Sequence, residues 1–121
     1  MTRYKKGDVI LVPFPFSDQT TAKKRPAVII SSDAYNNTSQ DLVIMAITGQ
    51  TRSRLVIGEF LIEDWQGAGL LKSSAVKSAI STIERRLVMK LLGNFSSRDL
   101  ATLEKALKEL LDLKSVGDGG P

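Results

Sequence analysis

Apolar residues in this chain come in short runs, and each run is stopped almost at once. VILV at residues 9–12 meets Pro13 and Pro15, AVII at 27–30 meets two serines, and LVIMAIT at 42–48 meets Gly49. Runs of this kind, bounded by proline, glycine and small polar residues, read as β-strands. Proline has no N–H for a ladder, so the first strand ends or becomes an edge at Pro13. Lys6-Gly7-Asp8 is a turn signal that opens it. Residues 56–62 read as a fourth strand, and 74–77 and 80–83 as two short extended pieces. The stretch 85–92 reads as either one helical turn or a strand. Tyr35-Asn36-Asn37-Thr38 reads as polar loop and 65–69 as a turn.

The end of the chain follows a different period. Ser96 looks like a helix N-cap, and Asp99 three residues on makes a pair resembling a capping box. Leu100, Leu103, Leu107, Leu110 and Leu111 then recur at helical spacing and form one apolar face, with Lys105, Lys108 and Lys114 on or near the other side. Several short strands followed by one amphipathic helix predict an α+β domain, mainly β, built on a small curled antiparallel sheet or barrel. A chain of 121 residues is one domain with an adequate core. The domain is expected over residues 1–114, with 115–121 as a loose C-terminal tail.

Composition removes whole classes of chemistry. There is no cysteine and no histidine, which excludes disulfides, thiol nucleophiles, the usual zinc sites and imidazole acid–base catalysis. No glycine-rich phosphate loop occurs, and no carboxylates fall at a metal-binding spacing. The apolar runs are far too short to cross a bilayer, and no secretory leader is visible, so a cytoplasmic protein with no membrane partner is expected. A net charge of +4 and a pI near 9.5 bias the chain toward anionic partners, nucleic acid first.

Two residues stand out against that background. Arg25 closes the densest cationic stretch, Lys23-Lys24-Arg25, and directly precedes Pro26. The proline forces Arg25 into extended backbone at a strand mouth, where its fork could hold a phosphate by two bonds; the same residue also reads as an exposed cation closing a loop. Thr48 ends an apolar strand beside Gly49, where a ligand can approach closely, although a strand-end threonine is common. The loop Gln50-Thr51-Arg52-Ser53-Arg54 could follow a phosphate backbone or be merely solvated. Arg85-Arg86 follows the same logic. Tyr4, Phe14, Phe16 and Trp65 could offer a stacking face, with Phe14 better suited to the core and Trp65 to partial exposure.

In order along the chain, GDVILVPFPFSD, KKRPAVIIS, DLVIMAITGQ and LLKSSAVKSAISTIERRLVMKLLGNFSSRDL resemble the MazF/PemK (Kid-like) toxin family. The resemblance covers residues 4–113. Its most specific parts are the Gly-Asp-Val opening strand, the loop ending in Arg25-Pro26, the strand ending in Thr48, and the Ser-Thr-Ile-Glu stretch at 81–84. The resemblance implies a small SH3-like antiparallel β-barrel with a C-terminal helix, assembled as a homodimer. It implies the toxin of a type II toxin–antitoxin pair, a sequence-selective endoribonuclease that cleaves single-stranded RNA without metal or other cofactor. The RNA 2′-hydroxyl would attack its own phosphate, leaving a 2′,3′-cyclic phosphate and a 5′-hydroxyl. The cognate antitoxin is the implied protein partner, with operator DNA as a further ligand of the pair.

Carried over residue by residue, the family's catalytic arginine falls on Arg25 and its catalytic threonine on Thr48. RNA contacts fall on Thr20, Thr21, Lys23, Lys24, Gln50, Arg52, Arg54 and Lys77. Arg25 would stabilise the phosphorane, but its high pKa makes it a poor general base. Two departures bear on the chemistry. Some members place a carboxylate, a candidate general base, at a position that falls near Ser78 here, and some place one in the loop before Arg-Pro, where the nearest here is Asp18. Those gaps leave two rival readings open. One is a member of the fold that binds DNA gyrase, like the CcdB toxin; the other is a DNA-binding autorepressor acting with its antitoxin.

Overall fold

The computed structural model describes residues 2–14, 23–51 and 54–114. Six strands form one antiparallel sheet: β1 (Asp8–Phe14), β2 (Lys23–Ile29), β3 (Asp41–Thr48), β4 (Phe60–Leu61), β5 (Ala75–Glu84) and β6 (Lys90–Asn94), in the spatial order β4-β5-β3-β2-β1-β6. A short helix α1 (Asp33–Thr38) joins β2 to β3, and a longer helix α2 (Ser97–Leu111) ends the described fold.

β1, the second half of β2 and β3 read as continuous apolar runs because that part of the sheet is buried on both faces. Val9, Val28, Met45 and Ile47 point to one side, where Phe60, Ile62, Val76 and Phe95 join Leu103, Ala106 and Leu107 of α2. Their neighbours Ile10, Val12, Ala27, Ile29, Leu42, Ile44 and Ala46 point to the other side, over which the sheet curls, with Ile83. Two irregularities sharpen that curl: the register shifts at Val9/Ile10 against β6 and at Met45/Ile47 against β5. A bulge of this kind bends the strand and raises its twist.

Five expectations are revised or resolved. Residues 35–38 are helical: Ser32 caps α1 by accepting the Tyr35 N–H at 3.1 Å, and the fully buried Asn36 donates its amide to the Ser31 carbonyl at 3.0 Å. A polar six-residue helix has no apolar period, so only its contacts reveal it. Of residues 56–62 only Phe60–Leu61 pair as strand. Gly58, at φ +89°, turns the chain, and Val56 and Ile57 are exposed. The pieces at 74–77 and 80–83 are one strand, β5. The ambiguous stretch resolves into a 3-10 turn at Arg85–Leu87 followed by β6. Leu111 departs from the predicted apolar face of α2 and is 51% exposed.

The capping pair at α2 also works differently from a box. Ser96 Oγ does accept the Asp99 N–H, at 3.2 Å. The Asp99 carboxylate does not return to the Ser96 N–H. It accepts the backbone N–H groups of Glu63 and Asp64 at 2.9 and 2.8 Å, pinning the 63–69 turn to the helix. On the same turn Asp64 accepts from Ser96 Oγ and from Arg98 at 3.0 Å, and these bonds, the hydroxyl's first, hold its carboxyl below the ordinary 3.8. A carboxyl depressed by folding stabilises above its unfolded pKa and loses that contribution as the pH falls through its folded one. Asp64→Asn is therefore expected to melt below the wild type at neutral pH. The gap should narrow as the pH falls below 3.8, as thermal melts across the acid range would record.

Candidate functional site

The site grows from strand register. β2 and β3 are paired from Ile29/Ile44 to Ala27/Ala46. Extended two residues past the last pair, that register sets Arg25 across from Thr48. Both follow the face carrying Ala27, Ile29, Ala46 and Ile44, because alternate residues of a strand share a side. On its other edge Arg25 pairs with Val12 of β1, and Lys24 and Lys23 pair with Pro13 and Phe14. Thr48 in turn pairs with Ala75 at the start of β5. One end of the sheet thus presents, strand by strand, a cationic corner, a half-buried arginine, a half-buried hydroxyl and the entrance of β5.

Each side chain is held by its surroundings. Arg25 is half-buried with its Nε out of solvent, so the guanidinium is oriented while Lys23 and Lys24 remain exposed. Thr48 Oγ1 accepts the Gln50 N–H at 3.1 Å. That bond fixes the hydroxyl and leaves its own proton to donate. Thr48, Gln50, Arg54 and Lys77 line one small cleft of about 60 Å³. This is room for a water or two. Arg54 and Lys77 are exposed at its edge. Among the described residues the arrangement is a concave rim, rich in cations, around one half-buried hydroxyl, and such a rim can attract an anion.

The sequence-predicted residues divide accordingly. Arg25, Thr48, Lys23 and Lys24 come together at one sheet end, with Gln50, Arg54 and Lys77 around Thr48. Thr20, Thr21, Arg52, Asp18 and Phe16 lie outside the described residues. Phe14 is in the core, as expected, and Trp65 is half-buried against the helix-side core. Tyr4 stacks under Arg85, whose guanidinium lies 5.5 Å from the ring centroid and donates to the Asn36 carbonyl at 2.7 Å. Arg85 is thus a structural clamp away from the cleft. Among the described residues no three carboxylates converge as a metal site would require.

Two residues were not visible to sequence reasoning. The space that Gly49 leaves is taken by the aliphatic stem of Lys72, which occupies the position a Cβ would fill. Lys72 therefore adds a cation beside Thr48 from a loop more than twenty residues away in the chain. Glu59 lines the same cleft as Thr48. Its carboxylate accepts the Val56 N–H at 3.3 Å and the Ser78 N–H at 3.4 Å. Ser78 thus has a carboxylate seated on its backbone. The Gly58 turn brings it there, and no local motif announces it.

A family model described as the PemK-like, MazF-like toxin of type II toxin–antitoxin systems matches residues 5–111. An endoribonuclease from a Mycobacterial species, solved in complex with its cognate antitoxin, superposes with a TM-score of 0.72 at 17% identity, covering 95% of this chain and 99% of that one. MazF from Deinococcus radiodurans gives 0.72 at 20%, covering 93% and 99%. The Mycobacterium tuberculosis toxin MazF-mt6 gives 0.73 at 17%, covering 89% and 99%. No curated protein matches the sequence. The likeness to these structures extends over the sheet and the C-terminal helix and establishes the fold.

Proposed function

Because the chain belongs to the family of PemK-like, MazF-like toxins of type II toxin–antitoxin systems, we propose that it is a sequence-selective, metal-independent endoribonuclease acting on single-stranded RNA. The observation that supports this reading is the β2–β3 register, which, extended two residues past the Ala27/Ala46 pair, brings Arg25 and Thr48 to one end and one face of the sheet. The attacking group is internal to the substrate: the 2′ oxygen bonds to phosphorus as the bond to the 5′ oxygen breaks. The protein then has to orient the phosphate and stabilise the charge that builds on it. Arg25 supplies a permanent cation with two parallel donors for the phosphorane oxygens. The Thr48 hydroxyl, held by the Gln50 N–H, donates to a phosphate oxygen. Lys23, Lys24, Arg54, Lys72 and Lys77 draw in the strand on either side. Thr20, Thr21 and Arg52, which lie outside the described residues, belong to the same reading.

The partners in this reading are a second copy of the chain and a cognate antitoxin. An apolar groove of about 380 Å³ is lined by Pro13, Phe14, Ile44, Ile83 and Leu87. The test is incubation of the purified, folded protein with a long, structure-poor RNA in the presence of EDTA. Discrete cuts ending in 2′,3′-cyclic phosphates are expected. Intact RNA would overturn the nuclease reading.

A further inference from the structure

A base is still missing from that chemistry. Loss of the 2′-hydroxyl proton needs an acceptor, and the chain has no histidine and no cysteine. Lysine and arginine are protonated near neutrality and tyrosine holds its proton there, so a carboxylate is the side chain of this protein best suited to accept it. Among the described residues that line the cleft with Thr48, only Glu59 carries one.

Glu59 is also held as a working group would be. Its own N–H donates to the Val56 carbonyl at 3.0 Å, closing a turn. Its two carboxylate oxygens accept one backbone N–H each, from Val56 and from Ser78 of β5. Each oxygen accepts one bond and keeps a lone pair for another donor. The turn is braced in its place. Gly58 sits at φ +89°, a Cβ there would press on Ser78 Oγ at 3.0 Å and on Leu110, and Ser78 Oγ donates to the Ile57 carbonyl at 2.9 Å. Among the described residues Glu59 has no ion-pair partner, although Arg54 and Lys77 line the same cleft. An anion fixed among cations that collect phosphates repels the ligand the rim attracts. That cost is explained if the anion takes part in the reaction.

Resting on the nuclease reading above, we infer that Glu59 is the general base of the cleft, taking the 2′-hydroxyl proton while Arg25 and Thr48 hold the phosphate. The proton passes to a Glu59 oxygen as the 2′ oxygen bonds to phosphorus, and the P–O5′ bond breaks with its electron pair on the 5′ oxygen. That oxygen takes a proton from solvent water. The hydroxide left behind removes the proton from Glu59 and restores the carboxylate.

The experiment compares wild type with Glu59→Gln in single-turnover cleavage of one RNA across pH. It also measures binding of the same RNA carrying a 2′-deoxy sugar at the cut site. The variant is expected to lose roughly 10²-fold or more in cleavage rate. It should bind the uncleavable RNA as well as or better than wild type, and its rate should no longer rise with pH on the acid side as the wild type's does. Should Glu59→Gln fail to fold, Glu59→Ala with added formate decides: restored cleavage supports the role, and none overturns it. Two further outcomes overturn the role of Glu59 while leaving the nuclease standing. One is cleavage by Glu59→Gln at the wild-type rate with the same acid limb; the other is a changed cut sequence at unchanged rate. Intact RNA with the wild type itself would remove the nuclease reading and this inference with it.

Discussion

Arg25→Ala is expected to slow RNA cleavage by about 10²–10³-fold, the loss typical when one preorganised donor to a developing oxyanion is removed. The loss should fall mainly on the chemical step, because charge builds on the phosphorane oxygens only in the transition state. Binding should weaken less, since Lys23, Lys24, Arg54, Lys72 and Lys77 still hold the strand. The fold should survive. Arg25 contributes its backbone to the β1–β2 ladder opposite Val12 and its side chain is only half-buried. Arg25→Lys should also be slow, because a single ammonium cannot reproduce the two-bond fork and its stem is less constrained. Single-turnover rates beside circular dichroism would decide the matter. A folded Arg25→Ala protein that cuts at the wild-type rate would remove Arg25 from the chemistry.

Asp99→Ala is expected to be the most damaging single truncation for stability outside the apolar core. Asp99 is fully buried, and its two oxygens accept from Glu63 and Asp64 at 2.9 and 2.8 Å. Removing them strands two backbone N–H groups at the helix–turn contact and takes away a charge-assisted pair of bonds. A cost of about 3–5 kcal/mol follows. That corresponds to a fall in Tm on the order of 15 °C for a domain of this size. Asp99→Asn should cost less, because its amide oxygen still accepts one of the two. Thermal melts of the three proteins give the order directly, and Asp99→Ala melting with the wild type would show that the turn does not depend on this carboxylate. The predicted order separates an anchoring role from ordinary helix capping, in which only the Ser96 bond would count.

The strands most easily read were those whose side chains mostly face apolar surroundings. Residues 9–12, 27–30 and 42–47 are largely buried on both faces, so no partner was needed to recognise them. Arg25 and Thr48 were legible for a related reason: each stands at the end of such a strand, where proline or glycine marks the boundary. α1 was missed because its stability lies in the Ser32 cap and the buried Asn36, which are contacts and not a pattern. The fourth strand was overextended because apolar residues at 56 and 57 imitate a strand that Gly58 breaks. Lys72 and Glu59 were missed because each reaches the cleft from across the fold, and their local sequence gives no sign of it.

The sequence by itself determined the antiparallel apolar strands, the C-terminal helix with its Ser96 cap, the absence of imidazole and thiol chemistry, and the placing of a cation before Pro26. These follow from period, from backbone restriction and from composition, all of which act over a few residues. The tertiary structure decided that Arg25 and Thr48 share one face and that the Asp99 carboxylate pins a distant turn. It also decided that a carboxylate from beyond Gly58 sits on the Ser78 backbone inside a cationic cleft. Those outcomes depend on strand register and on turns that join residues far apart in the chain. A one-residue change of register would turn each side chain to the opposite face.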